Sequence, residues 1–204
     1  MSKRKPKSRS YSLRKVGTRE LRKSFLIVCE GTKTEPNYFK SFPVPKNVID
    51  IKGLGLDPSK LVENAKKFNQ KERYDQVWCV FDRDSWTKND FNNAIQNAEA
   101  EGFGVAYSNE AFELWYILHF EFLNTAIPRN QYLKKLNSLL ANSLPGKKYE
   151  KNSEIIYEQI FEKQATAIKN AEKLLKQYNP QNPEENNPST TVHLLVKELN
   201  KFVP

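Results

Sequence analysis

Short apolar runs alternate with longer segments of helical periodicity along residues 24–122. The runs have the length of buried strands, and the segments between them place apolar residues three or four positions apart. This pattern predicts strands at 24–29, 47–52, 76–81 and 103–107, and helices at 35–42, 58–72, 88–101 and 109–121. Such regular strand–helix alternation predicts an α/β fold with a parallel sheet and right-handed crossovers.

Residues 123–204 show helical patterns and no further apolar run of strand type. They predict helices near 129–142, 151–178 and 189–202, with a Pro/Asn-rich linker from Asn179 to Pro188. We therefore divide the chain into a basic N-terminal arm (1–23), an α/β core (24–122) and a helical C-terminal region (123–204) that packs on the core.

Acidic residues follow two of the predicted strands directly. Glu30 follows Phe25–Cys29, and Asp82 and Asp84 follow Val77–Phe81. Ligands of open α/β sheets bind at the carboxyl ends of the strands, so neighbouring parallel strands would bring the three carboxylates together. Three carboxylates in one crevice resist ionisation unless a cation neutralises them, and oxygen ligands suit Mg²⁺ or Mn²⁺.

Three segments in this order resemble the RloB family, a member of the wider Toprim-like group that includes topoisomerase, primase and OLD-family nuclease domains. They are Cys-Glu-Gly-Thr-Lys-Thr-Glu-Pro-Asn-Tyr-Phe at 29–39, Phe-Asp-Arg-Asp-Ser at 81–85, and the run from Ser108 to Phe120. The resemblance covers roughly residues 20–200. It implies a Toprim-like sheet sandwiched by helices and a Mg²⁺-dependent nuclease that cleaves DNA or RNA.

The resemblance also assigns roles and partners. Glu30 matches the acid/base glutamate of Toprim domains, and Asp82 and Asp84 match their Mg²⁺-binding aspartates. Thr34 stands where OLD-type nucleases have a second glutamate, and the adjacent Glu35 is the candidate for that metal-binding role. The family is often encoded beside an ATPase in anti-phage systems, which implies an ATPase partner and an effector of abortive infection; assembly into a homo-oligomer is left open.

Further candidates lie near the same sheet edge. Glu113, three residues after Glu110 on the predicted fourth helix, is a candidate catalytic or metal-binding carboxylate. Lys33 and Thr32, close to the start of the first helix, are candidate phosphate ligands. Arg83 is a candidate substrate-binding residue, and its alternative role is an ion pair with a neighbouring aspartate.

The formal net charge of +9 is concentrated at the N-terminus. Residues 1–24 contain ten Lys/Arg and one acid, whereas the remaining 180 residues contain 23 of each sign. A basic arm of this kind, beginning with Lys3, Arg4 and Lys5, favours binding to nucleic acid, and docking on a protein partner is the alternative.

Other features narrow the class of protein. The chain lacks a secretory h-region and an apolar run of membrane-spanning length, and its two cysteines lie in predicted strands, which together favour a cytoplasmic protein with reduced thiols. No Gly-x-x-x-x-Gly-Lys-Ser/Thr loop is present, so the chain itself is not a P-loop ATPase.

Two other functions compete with the nuclease. The segment Phe81–Ser85 also resembles the nucleophile motif of haloacid-dehalogenase-type phosphatases, in which Asp82 would attack phosphorus. A non-catalytic nucleic-acid-binding module is the third interpretation. The sequence does not distinguish DNA from RNA, or endonuclease from exonuclease activity.

Overall fold

A five-stranded sheet runs through the middle of the protein, as seen in a computed structural model that describes residues 24–84 and 87–203. The strands are β1 (Phe25–Cys29), β2 (Ile49–Gly53), β3 (Gln76–Asp82), β4 (Gly104–Asn109) and β5 (Ser189–Thr190). Their order is β2-β1-β3-β4-β5; the first four are parallel, and β5 pairs with β4 in the antiparallel direction. The predicted α/β fold is thereby confirmed.

Within the residues that the structure describes, eight α-helices flank the sheet on its two faces. They are α1 (Thr34–Lys40), α2 (Pro58–Glu72), α3 (Lys88–Ala100), α4 (Glu113–Leu118), α5 (Arg129–Ser143), α6 (Ile156–Ile160), α7 (Gln164–Leu175) and α8 (Val192–Asn200). Helices α2 and α3 share one buried apolar cluster with the sheet, and the other six lie on the opposite face in a larger cluster. Within the described part of the chain, no helix is long and apolar enough to cross a membrane.

The central position of β1 follows from its sequence. All five residues of Phe-Leu-Ile-Val-Cys are fully buried, because helices cover both faces and neighbouring strands pair on both sides. Cys29 and Cys79 belong to opposite clusters and are buried, unpaired thiols, as predicted.

The local signals for α2 fix both of its ends. Asp57 is the N-cap and its carboxylate accepts a hydrogen bond of 2.9 Å from the amide of Lys60, while Pro58 occupies the first helical position. The helix ends at Glu72, as the apolar spacing predicts.

Two predictions for the end of the core are wrong in detail. The predicted strand 103–107 extends as β4 to Asn109, and the helix predicted over 109–121 begins only at Glu113 and ends at Leu118. Glu110 therefore precedes the helix instead of sharing a helical face with Glu113. The reason is that Thr190 and Ser189 pair with Ser108 and Asn109 and extend the strand.

The C-terminal region differs more strongly from its prediction. The predicted helix 151–178 is divided into α6, a 3₁₀ turn at Phe161–Lys163, and α7. The segment before α6 is held as a loop on α1, where Asn152 has a φ of 68°. The region is also not purely helical, because β5 contributes the fifth strand to the sheet.

Candidate active site

The carboxyl ends of β1 and β3 border a cavity of about 510 Å³. Its lining includes Asp57, which caps α2, and five further carboxylates, those of Glu30, Glu35, Asp82, Asp84 and Glu113. It also includes three cations, Lys33, Arg129 and Lys151. The acidic residues chosen from the sequence therefore meet at one place, as the topology of a parallel sheet requires.

Asp82 is the best-fixed carboxylate of the site. It ends β3, is 7% exposed, and its Oδ2 accepts a hydrogen bond of 3.1 Å from the amide of Phe112. Its own amide donates to Glu30 Oε2 at 3.0 Å. The backbone of one acid thus orients the side chain of the other, which joins the ends of β1 and β3.

Asp84 lies just beyond the strand in an unusual backbone conformation. Its φ of 36° falls in the left-handed region, which residues with a side chain adopt rarely. The segment is held because Arg83 N donates to Ser108 O at 2.9 Å and Asp84 N to Glu110 O at 3.3 Å. Arg83 Nη1 adds a hydrogen bond of 2.9 Å to the carbonyl oxygen of Asp84.

One guanidinium contacts both aspartates. Arg129, the first residue of α5, places Nη1 2.7 Å from Asp84 Oδ1 and Nη2 3.8 Å from Asp82 Oδ2. Burial raises the pKa of Asp82 well above its usual value, and the charges of Glu35, Glu113 and Glu30 raise it further. Arg129 lowers this pKa but does not cancel the effect, so ionisation of Asp82 stays disfavoured unless a further cation compensates it.

Glu35 is the second residue of α1 and is 5% exposed. Burial raises its pKa to about 7, with smaller contributions from the charges of Glu30 and Glu113 and opposition from main-chain hydrogen bonds. Gly31 makes this position possible, because a Cβ at residue 31 would collide with the Glu35 carboxylate. The turn after β1 is therefore packed directly against a buried acid.

Glu113 approaches the cavity from the start of α4. Its Oε1 accepts a hydrogen bond of 3.2 Å from the hydroxyl of Tyr149, which is 1% exposed. Burial, and next the charge of Glu113, raise the pKa of that tyrosine above its usual range, so its hydroxyl stays protonated and donates.

The substrate-binding candidates divide into three groups. Lys33 and Thr32 line the cavity, as expected. Arg83 is not among the lining residues, and its guanidinium is engaged with the Asp84 backbone. Lys3, Arg4 and Lys5, with the rest of the arm 1–23, lie outside the described residues.

Sequence reasoning missed Arg129, Lys151 and Asn152, all from the C-terminal region. Asn152 Oδ1 accepts a hydrogen bond of 2.9 Å from Thr34 Oγ1, and its carbonyl oxygen accepts one of 3.0 Å from Asn37 Nδ2. These bonds fix residues 151 and 152 at the cavity. No local motif marks any of the three, because each reaches the site through a long-range contact.

The chemistry of the cavity fits a hard divalent cation. Its acidic donors are all carboxylate oxygens. Burial, and next the charges of neighbouring carboxylates, raise the pKa of Asp82, and a bound cation would favour its ionised form. In the present arrangement, however, no three His, Cys, Asp or Glu side chains within 24–84 and 87–203 are grouped so as to hold a metal ion. Arg129 instead contacts the two aspartates.

Comparison with known proteins agrees with the resemblance seen in the sequence. The model of a family described as RloB-like protein matches residues 25–199, most of the chain. No curated protein matches, and no solved structure matches.

Proposed function

The chain belongs to the RloB-like family, and from that premise we propose that it is a Mg²⁺- or Mn²⁺-dependent nuclease that hydrolyses phosphodiester bonds of DNA or RNA. One observation carries the proposal. Glu30, Asp82 and Asp84 line a single cavity at the carboxyl edge of the sheet, together with three cations. Negative groups for a cation and positive groups for phosphate are both needed to act on a charged phosphodiester.

The carboxylates have different roles in the proposed reaction. Asp82 and Asp84 would hold the cation, with Glu35 and Glu113 as further oxygen ligands. When bound, the cation supplies screening of phosphate charge, orientation of a water molecule and stabilisation of the leaving oxygen. Burial of Asp82 and its hydrogen bond from Phe112 N keep that carboxylate in one position, which favours preorganised binding.

Glu30 acts as the general base. The water oxygen forms the new bond to phosphorus, the bond from phosphorus to the leaving oxygen breaks, and the Glu30 carboxylate accepts the proton of the water. Its Oε2 is held by the amide of Asp82 at 3.0 Å, which keeps the base beside the cation ligands. The position of a base within hydrogen-bond reach of the attacking water is the first requirement of such catalysis.

Lys33 and Lys151 hold the substrate backbone. They approach the cavity from opposite parts of the chain, one just before α1 and the other in the loop before α6. Lysine ammonium groups neutralise phosphates without reading the bases, so the cavity itself would accept nucleic acid of many sequences.

The biological setting is a further part of the proposal. The resemblance supports a cytoplasmic effector of anti-phage defence that works with an ATPase, because the chain lacks a P-loop of its own. The helical region 129–202, which is additional to the sheet core, is the expected contact. Tagged protein purified from its native host should bring down an ATPase; a chain that is unaccompanied and fully active there would contradict this part.

The test of the activity is a substrate panel. Purified protein with Mg²⁺ or Mn²⁺ is incubated with plasmid, linear DNA, tRNA and total RNA, and Glu30→Gln is tested beside it. We expect cleavage by the wild type, and loss of cleavage with retained binding in the variant, because glutamine has nearly the same volume but accepts no proton. Wild-type turnover by the variant would rule out Glu30 as the base.

The same panel separates the two alternatives. Hydrolysis of a small phosphomonoester with an aspartyl-phosphate on Asp82 would establish the phosphatase. Binding to nucleic acid without cleavage of any substrate under either metal would establish a non-catalytic module.

A further inference from the structure

Arg129 stands where a divalent cation would be needed. Its guanidinium spans Asp84 and Asp82, with nitrogen–oxygen distances of 2.7 and 3.8 Å. It belongs to α5, outside the strands that supply the acids, and it lines the same cavity. A positive group on these two carboxylates compensates part of the charge that the surrounding acids create.

The contact is suited to exchange. Nη1 of Arg129 lies close to Asp84 but makes no hydrogen bond of good geometry, so the attraction is mainly electrostatic. Both Arg129 and Asp84 side chains are 38% exposed. Nη1 itself is buried, but it makes no hydrogen bond there, and an ion pair between two partly exposed side chains contributes little net stability. A competing cation can therefore replace Arg129 at small cost.

We infer that Arg129 is the counter-ion of Asp82 and Asp84 when no divalent cation is bound, that it competes with that cation, and that its displaced guanidinium binds a phosphate of the nucleic acid. The inference rests on the proposed function. A guanidinium and a divalent cation on the same two carboxylates repel each other, so the arrival of one drives the other away. Guanidinium also matches phosphate with paired donors, which a lysine does not.

The first measurement is Mn²⁺ affinity by calorimetry, without substrate. Arg129→Gln should bind Mn²⁺ roughly three- to tenfold more tightly, the range expected for removing one partly exposed competing charge. Arg129→Lys keeps the charge and should stay near the wild type. Lys135→Gln is the matched control, because Lys135 is also on α5 and is 32% exposed in an ion pair of 2.6 Å with Glu121, away from the cavity lining.

These outcomes decide the competition. Equal or weaker Mn²⁺ binding by Arg129→Gln would overturn it, as would equal tightening in Arg129→Lys or Lys135→Gln. If the wild type itself binds no Mn²⁺, the proposed function fails together with the inference. If the wild type binds Mn²⁺ and Arg129→Gln does not differ, the inference alone fails.

The second measurement is binding of a short single-stranded oligonucleotide by fluorescence anisotropy, in a Glu30→Gln background that prevents cleavage. With Mn²⁺ present, adding Arg129→Gln should weaken binding and flatten the salt slope by about 0.7, the value for one lost phosphate contact. In EDTA, the two proteins should bind alike, because the guanidinium is then held by the aspartates. An equal loss in both conditions would overturn the exchange.

Discussion

The raised pKa of Glu35 makes a quantitative prediction about stability. Its pKa rises from 4.5 to about 7 in the folded protein, chiefly through burial. Because the pKa of Glu35 is higher in the folded than in the unfolded protein, its carboxyl contributes fully to the stability of the fold below pH 4.5. This contribution is lost as the pH rises through 7. At pH 8 the ionised side chain therefore destabilises the fold by about 3 kcal/mol, and near pH 4 by almost nothing.

Glu35→Gln should remove this cost, because the amide has a similar shape and no charge. In urea unfolding with EDTA, we expect the variant to be more stable than the wild type by about 3 kcal/mol at pH 8 and equally stable near pH 4. Relief of the charge on Asp82, whose raised pKa also reflects Glu35, adds to the gain. The control is Glu63→Gln on the exposed side of α2, which should change little at either pH.

If Glu35→Gln is no more stable than the wild type at pH 8, or if its advantage is the same at pH 4, the buried charge of Glu35 does not destabilise the fold. Adding Mn²⁺ gives a second check. A bound cation neutralises the carboxylates, so it should stabilise the wild type more than the variant and narrow the gap between them.

Three further predictions follow from the charges on this chain. The double variant Asp82→Asn with Asp84→Asn should lose Mn²⁺ binding in calorimetry with an unchanged circular dichroism spectrum, and unchanged affinity would remove the two aspartates as ligands. Deletion of residues 1–23 should weaken nucleic-acid binding across sequences and flatten the salt slope by roughly 3–5 units, since about half of the arm's cations would contact phosphate; an unchanged slope would assign the arm to partner docking. Burial lowers the pKa of His119 from 6.5 to about 4. Between these pH values the unfolded chain binds a proton that the folded protein does not, so the fold loses stability as the pH falls. From pH 7.5 to pH 5, the free energy of unfolding measured in urea should therefore fall by about 2 kcal/mol less in His119→Phe than in the wild type.

The predictable part of the structure is the part whose signals are local. The apolar run at 25–29 and the Asp57–Pro58 start of α2 determine their own elements, and a parallel sheet then brings Glu30 and Asp82 to one edge. The convergence of Glu30 and Asp82 on one cavity is therefore predictable from strand ends alone. Its proposed chemistry came from the family resemblance and stays a prediction, as does the relation to Toprim domains.

The unpredicted part depends on contacts between distant segments. The two residues of β5 carry no apolar alternation, and they become a strand because the end of β4 offers them partners. Buried residues of α6 and α7 continue one helical periodicity, which explains why a single helix was predicted there. Arg129 is one of many cations in the sequence, and nothing near it in the chain selects Asp84 as its partner.

The antiparallel β5 also determines when the acidic edge of the sheet can be completed during synthesis of the chain. Residues 183–190 hold the chain around Asn109 and Glu110, through Asn109 Nδ2 to Pro183 O at 3.0 Å and Asn187 Nδ2 to Glu110 Oε1 at 3.3 Å. The carbonyl oxygens of Ser108 and Glu110 in turn accept the backbone hydrogen bonds of Arg83 and Asp84, which position Asp84. The contacts that hold Asn109 and Glu110 require residues 183–190, so a nascent chain that has not yet extended past residue 190 lacks a finished acidic edge. The order of translation thus delays completion of the candidate site until residues 183–190 have been synthesised and can pack on the end of β4.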